Sequence, residues 1–294
     1  MFTPNSPLGR LVLALSLVGG LSAAEPAWRP LFNGKDLSGW ETFMAKPDPA
    51  WEVPGLKRDA ATGKYLEPVG KNRDPLKVFN VEPVDGQPAI HITGQGFGVM
   101  TTAESFGNFH LRLQFKWGER KWGYKLNAPR DSGLLYFVHG EPGFDHETWP
   151  RSTEFQIQEH DTGDLYALGS QITVNARTET GPNGRPLYHY DPAGAPVLFR
   201  QVAPIGNRCV RLEDAEKPNG EWNTLELICL NGDSIHVVNG KVVMRLHHAE
   251  RLDWPAPGPI TAGQICLQTE GAEVYYRHVE LRPITAVPAE YAAR

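Results

Sequence analysis

Ser152-Thr153-Glu154-Phe155-Gln156-Ile157-Gln158-Glu159-His160-Asp161 alternates polar and apolar side chains and then ends in a titratable run. On the two-residue period of a strand, Phe155 and Ile157 take one face, and Glu154, Gln156 and Gln158 the other. Glu159, His160 and Asp161 leave the same strand together, and clusters of proton-handling groups mark functional sites. Strict alternation sends Glu159 to the apolar side. A one-residue bulge after Gln156 returns it to the side of Glu154, and bulges recur beside active sites. The expectation is therefore one surface shared by Glu154, Gln156 and Glu159, against the plainer alternative of a solvated strand face.

The surrounding sequence reads as strands and turns. Phe109-His110-Leu111-Arg112-Leu113-Gln114-Phe115-Lys116-Trp117 places Phe109, Leu111, Leu113, Phe115 and Trp117 toward a core, and His110, Arg112, Gln114 and Lys116 away from it. Leu134-Leu135-Tyr136-Phe137-Val138-His139 is apolar on both faces, as a central strand is. Asn231-Gly232 and Asn239-Gly240 fall between apolar runs, the strongest short-range hairpin signal, and Asp85-Gly86 sits similarly. Residues 47–75 and 180–204 are Gly/Pro-punctuated and lack periodicity, so they read as long loops. No segment has a helical period, no repeat is visible and no linker divides the chain. The pattern predicts an all-β sandwich with long loops on one side.

Composition agrees with that class. The 294 residues include 30 Gly and 25 Pro, and 40% hydrophobic content suffices for a sizeable core. A net charge of −5 points neither to nucleic acid nor to an anionic membrane surface. Eight Trp suit either a core or the stacking platforms of a sugar cleft. Cys209, Cys229 and Cys266 are odd in number and lie in apolar surroundings without metal or redox spacing, which assigns them structural roles. Arg10, the apolar run 11–18 and the small residues Ser22-Ala23-Ala24 before Glu25 read as a signal peptide over residues 1–24. The apolar run is too short for a membrane span, so the expectation is an exported protein, periplasmic or extracellular, without membrane insertion. The mature domain is expected over residues 25–284, with 285–294 as a C-terminal tail.

Several ordered landmarks carry a resemblance. They are Leu31-Phe32-Asn33-Gly34-Lys35-Asp36-Leu37-Ser38-Gly39-Trp40, Arg130-Asp131-Ser132-Gly133-Leu134-Leu135-Tyr136, Glu154-Phe155-Gln156-Ile157, Gly220-Glu221-Trp222-Asn223, Asn239-Gly240 and Gly263-Gln264-Ile265-Cys266-Leu267-Gln268. Together they resemble the 3-keto-disaccharide hydrolase family, whose domains include 3-keto-glucoside-1,2-lyases and 3-keto-2-hydroxy-glucal hydratases, from about Leu31 to Pro283. The resemblance implies a concanavalin A-like jelly roll, two curved antiparallel sheets with a carbohydrate cleft. Locally, Glu-x-Gln-x-x-Glu also resembles the bulged acidic strand of laminarinase-like glycoside hydrolases, with Gln156 where those carry Asp.

The implied reaction is cleavage of a 3-keto-glycoside by C2 proton abstraction, elimination at C1 and rehydration. It needs a base, an acid for the leaving oxygen and a group that holds the enolate. Glu154 or Glu159 is the candidate base; His160, His139 or the other Glu is the candidate acid, with Gln156 beside them. Lys121, Arg130, Tyr136 or a divalent metal on Glu, His or Asp side chains is the candidate enolate holder. Trp149 and Asp161 complete the expected substrate contacts. Structural alternatives exist for several: an Arg130–Asp131 ion pair, a core Tyr136, a packed Trp149 and a turn-forming Asp161. The sequence holds no nucleotide-binding fingerprint, so an upstream oxidoreductase is expected to make the keto sugar. Two other readings remain: a retaining glycoside hydrolase with Glu154 as nucleophile and Glu159 as acid/base, and a non-catalytic carbohydrate-binding module.

Overall fold

The computed structural model describes residues 26–181 and 184–292; residues 1–24, expected to be a signal peptide, lie outside them. Apolar alternation along the strands produces two packed sheets, in which every pairing between strands is antiparallel. The smaller sheet runs in the order Arg208–Cys209, Leu165–Leu168, Arg151–Gln158, Asp131–His139, Gln264–Glu270, Phe97–Thr102, Trp40–Met44, Gly70–Lys71. Phe109–Lys121 lies centrally in the larger one, between Asn223–Leu230 and Ala272–Pro283. This is the jelly-roll β-sandwich, with only two short 3₁₀ turns, Gly123–Asn127 and Ala289–Tyr291, among the described residues. No helix there is long and apolar enough to cross a membrane.

The period-2 pattern places the core correctly. Phe109, Leu111, Leu113, Phe115 and Trp117 are all buried between the sheets. His110, expected to face solvent, does point away from the core but is 2% exposed. Trp28 packs edge-on against its ring, Tyr291 crosses it from the other terminus, and Glu226 holds its Nε2 at 2.8 Å. The two chain ends thus cover a polar face that a lone strand would leave wet. Asn231-Gly232 and Asn239-Gly240 form their hairpins, with all four residues at positive φ. The stretch read as a loop after Thr180 instead contains the strands Pro186–Tyr190 and Ala195–Phe199, both paired to Ser170–Thr180. Each is only five residues long and carries a proline, Pro186 or Pro196, which reads as loop punctuation rather than as a strand.

The inter-sheet core contains two polar bridges. The Tyr136 hydroxyl lies 2.7 Å from Ser234 Oγ and 3.0 Å from His236 Nε2, and the His236 ring stacks on Phe155. Burial pushes the His236 pKa down to about 3, so the ring is neutral, and Tyr136 is locked as a core residue. Ser132 Oγ similarly donates to Gln268 O at 2.8 Å and meets the Tyr276 hydroxyl at 2.7 Å. With Ser132, Leu134 and Tyr136 directed inward, alternation turns Asp131, Gly133 and Leu135 to the outer face of the smaller sheet.

Candidate functional site

On that outer face an open cavity of about 970 Å³ is floored by three neighbouring strands. Arg151–Gln158 contributes Glu154, Gln156 and Gln158; Asp131–His139 contributes Asp131; Gln264–Glu270 contributes Gln268 and Glu270. Residues 201–207 overhang from the larger sheet. Gln201 ties the overhang down, donating to Asp145 Oδ1 at 2.7 Å and accepting from Gly169 N at 2.8 Å. Trp149 and Leu168 supply an apolar wall.

The floor is a carboxyl cluster in a dry place. Asp131 and Glu154 are each 5% exposed, and the Lys125 that pairs with Asp131 is 4% exposed. Lys125 arrives on the Gly123–Asn127 turn, which Trp122 pins by donating its backbone N–H to Gly271 O and its indole N–H to Thr93 O. Burial, then the charges of Glu270, Asp131 and Asp145, push the Glu154 pKa well above the ordinary carboxylate range. Burial and the Asp131 charge push Glu270 up to about 8, against the opposing pull of Lys125 and of the Tyr124 hydroxyl 3.2 Å away. Burial raises Asp131 to about 6, with Lys125 restraining it. The cluster therefore sets Asp131, at about 6, beside Glu270, at about 8, and a Glu154 that burial pushes well up. Environments that push neighbouring carboxyls apart in this way separate acid from base roles.

Hydrogen-bonding capacity is left open toward the cavity. Asp131 Oδ1, Gln156 Oε1 and Gln268 Oε1 are buried without a partner. Buried orphan acceptors of this kind are costly unless something fills them. Among the described residues no group of three or more His, Cys, Asp and Glu is arranged to hold a metal ion; the cluster's charge is balanced by Lys125 instead.

Glu154, Gln156 and Trp149 thus come together at this cavity, whereas Lys121, Arg130, Tyr136, His139, Glu159, His160 and Asp161 do not line it. The expected bulge after Gln156 is absent: Thr153 to Gln158 pair residue for residue with Tyr136 to Asp131. The register shift lies on the opposite strand between Tyr136 and His139, where Phe137 has φ +53°. Strict alternation therefore holds, and Glu159 turns away to Arg130. Its carboxylate accepts from Arg130 N at 2.6 Å and Arg130 Nη1 at 2.7 Å, and from Asn219. Burial alone would raise its pKa, but these donors outweigh it and hold Glu159 below its ordinary value. This removes the Glu154–Glu159 pair that a retaining hydrolase of laminarinase type would use.

The other candidates have structural partners. Arg130 pairs with Glu159 rather than with Asp131. His160 sits in a tight turn at φ +67°, exposed and 3.5 Å from Asp214. Asp161 pairs with Arg208 and Arg211 in the same turn, and Lys121 Nζ donates to Ala128 O at 2.9 Å. His139 Nδ1 lies 3.0 Å from Phe137 O, and burial lowers its pKa. Asp131, Lys125, Gln268 and Glu270 escaped the sequence reading. Three of them were legible: Gln264, Cys266, Gln268 and Glu270 share one face by alternation, and so do Asp131, Gly133 and Leu135.

Structural likenesses are distant. A "putative glycosyl hydrolase" from Parabacteroides distasonis ATCC 8503 is 20% identical, covering 87% of this chain and 94% of its own, with a TM-score of 0.49. A second from the same organism is 18% identical over 88% of this chain and 100% of its own, with a TM-score of 0.45. The carbohydrate-binding module CBM66 from Bacillus subtilis is 9% identical over 69% of this chain and 90% of its own, with a TM-score of 0.39. No curated protein matches the sequence. The model of the 3-keto-alpha-glucoside-1,2-lyase-like domain, however, matches residues 27–282, and the chain belongs to that family.

Proposed function

We propose that the protein is an exported enzyme that cleaves 3-keto-glycosides by elimination and rehydration, with Asp131, Glu154 and Glu270 as its working groups. The single observation that carries this reading is the cluster of Asp131, Glu154 and Glu270 at the floor of one open cavity, with Asp131 Oδ1 unpartnered and the three carboxyls shifted to different degrees. A ketone at C3 acidifies the C2–H bond because the resulting carbanion delocalises into an enolate. Asp131, ionised near neutral pH and with Oδ1 unpartnered, takes that proton. Protonated Glu154 gives its proton to the glycosidic oxygen as the C1–O bond breaks. Protonated Glu270 and the Gln268 amide donate to the enolate oxygen as charge develops there. The product at this stage is a 2-hydroxy-3-keto-glucal.

Rehydration runs the same groups in reverse. Glu154, now ionised, takes a proton from water as its oxygen bonds to C1, and Asp131 delivers a proton to C2. Both carboxyls return to their starting states, so the proton balance closes over one turnover. The oxidation that creates the ketone belongs to a separate upstream oxidoreductase.

The test is to incubate the protein with paired 3-keto and ordinary glucosides and follow release of the glycone. Turnover confined to the keto member is expected. Equal turnover of both would replace this reading with simple glycoside hydrolysis, and saturable sugar binding without turnover of either would replace it with a binding module.

A further inference from the structure

A second chamber of about 330 Å³ opens beside the main cavity, and the two share Trp149, His146 and Glu270. Its character differs from that of the carboxyl floor. Phe97 and Tyr124 stack with ring centroids 5.9 Å apart and planes 15° apart, and Trp149 stands edge-on to Phe97 at 6.3 Å. Tyr124 is 59% exposed, an unusual investment for an aromatic ring on a short turn. The ring is held from both ends: its hydroxyl donates to Glu270 at 3.2 Å, and Lys125 Nζ lies 5.0 Å from its centroid.

We propose that this chamber seats the leaving group, with Tyr124 as the residue that selects a ring-shaped one; this rests on the 3-keto-glycoside reading above. Glu270 stands at the boundary, so a glycosidic bond crossing it puts the keto ring over the carboxyls and the second ring among Phe97, Tyr124 and Trp149. Aromatic faces match the C–H face of a pyranose, and the rim atoms of His146, Thr148 and Glu270 suit its hydroxyls. A small alkyl leaving group would reach none of these. Tyr124 thus sets how strongly a ring in the leaving position is held, and a methyl group there gains nothing from it.

The test compares Tyr124→Phe, which keeps the ring and loses the bond to Glu270, with Tyr124→Ala, which loses both. Because Tyr124 is mostly exposed, neither change opens the core. With a 3-keto disaccharide, kcat/KM of the Ala variant should fall about three- to tenfold below that of the Phe variant, the worth of one aromatic contact. With methyl 3-keto-glucoside the two variants should differ by less than about twofold. An equal Ala-to-Phe ratio on both substrates would overturn the assignment. Calorimetric binding of an unoxidised gluco-disaccharide supplies a readout without turnover: weaker binding to Tyr124→Ala than to Tyr124→Phe is expected, and equal binding would overturn the subsite. Absence of turnover on every keto-glycoside would count against the proposed reaction alone, because the binding arm judges the chamber independently.

Discussion

Gln268 and Glu154 converge over Gly133: a Cβ placed on that glycine would lie 2.1 Å from Gln268 Oε1 and 2.4 Å from Glu154 Oε1. The glycine is therefore required by the side chains above it rather than by its own backbone. Gly133→Ala should push both groups off the cavity floor. Activity on a 3-keto-glycoside should fall at least about tenfold, with an overpacking cost of about 1–3 kcal/mol in chemical denaturation. Unchanged kinetics would mean that the convergence is incidental.

Glu154 and Glu159 should respond oppositely to the same substitution. Glu154→Gln removes the proposed acid and should lower turnover about 100-fold or more with folding intact. Glu159→Gln should leave turnover within a fewfold and lower stability, because Arg130 loses its charged partner. Parallel rate and melting measurements on the two variants check this, and a large loss of turnover in Glu159→Gln would return the chemistry to the turn.

The contrast also marks what the sequence disclosed. Alternation identified the strand Arg151–Gln158, the buried side of Phe109–Lys121 and both Asn-Gly hairpins, because two-residue periodicity is a local property. It failed at Glu159, where a chemically attractive bulge was inserted although strict alternation already gave the right face. It also passed over Lys125, a lysine in a short turn whose burial depends on the distant Gly271 and Thr93 backbones. For Asp131 the sequence offers only a structural alternative, an ion pair with its chain neighbour Arg130. Its true partner, Lys125, is six residues away. Site residues joined by strand order rather than by sequence have no local signal to announce them.

Lys125 restrains the pKa of Asp131, and in the proposed reaction that pKa sets the acid limb of the pH–rate profile. The base works only when ionised, so activity should fall as pH drops through about 6. Lys125→Met withdraws a positive charge, raises the Asp131 pKa and should move that limb to higher pH. A profile whose acid limb does not shift would remove Asp131 from the base role.

Glu270 gives a stability prediction of definite sign. Its folded pKa, about 8, exceeds the ordinary carboxylate value of 4.5, so the folded state holds the proton more tightly than the unfolded one. Stability from this group is full below the ordinary value and is lost as pH rises toward about 8. The slope is at most about 1.4 kcal/mol per pH unit for one group. Glu270→Gln should flatten the decline across that window in denaturant titrations at several pH values, and an unaltered slope would assign the decline to other groups.

In the proposed reaction the C2–H bond breaks. In heavy water, rehydration of the glucal draws its C2 hydrogen from exchanged carboxyls or solvent, so the released keto sugar should carry deuterium at C2 beyond a no-enzyme control containing the same product. A displacement mechanism never touches C2. Mass and proton spectra of product at early times, together with the rate on a C2-deuterated substrate, decide the matter: excess C2 deuterium, or a slowed C2-deuterated substrate where Asp131 returns the proton it took, is the predicted result, and product showing neither would contradict C2–H cleavage.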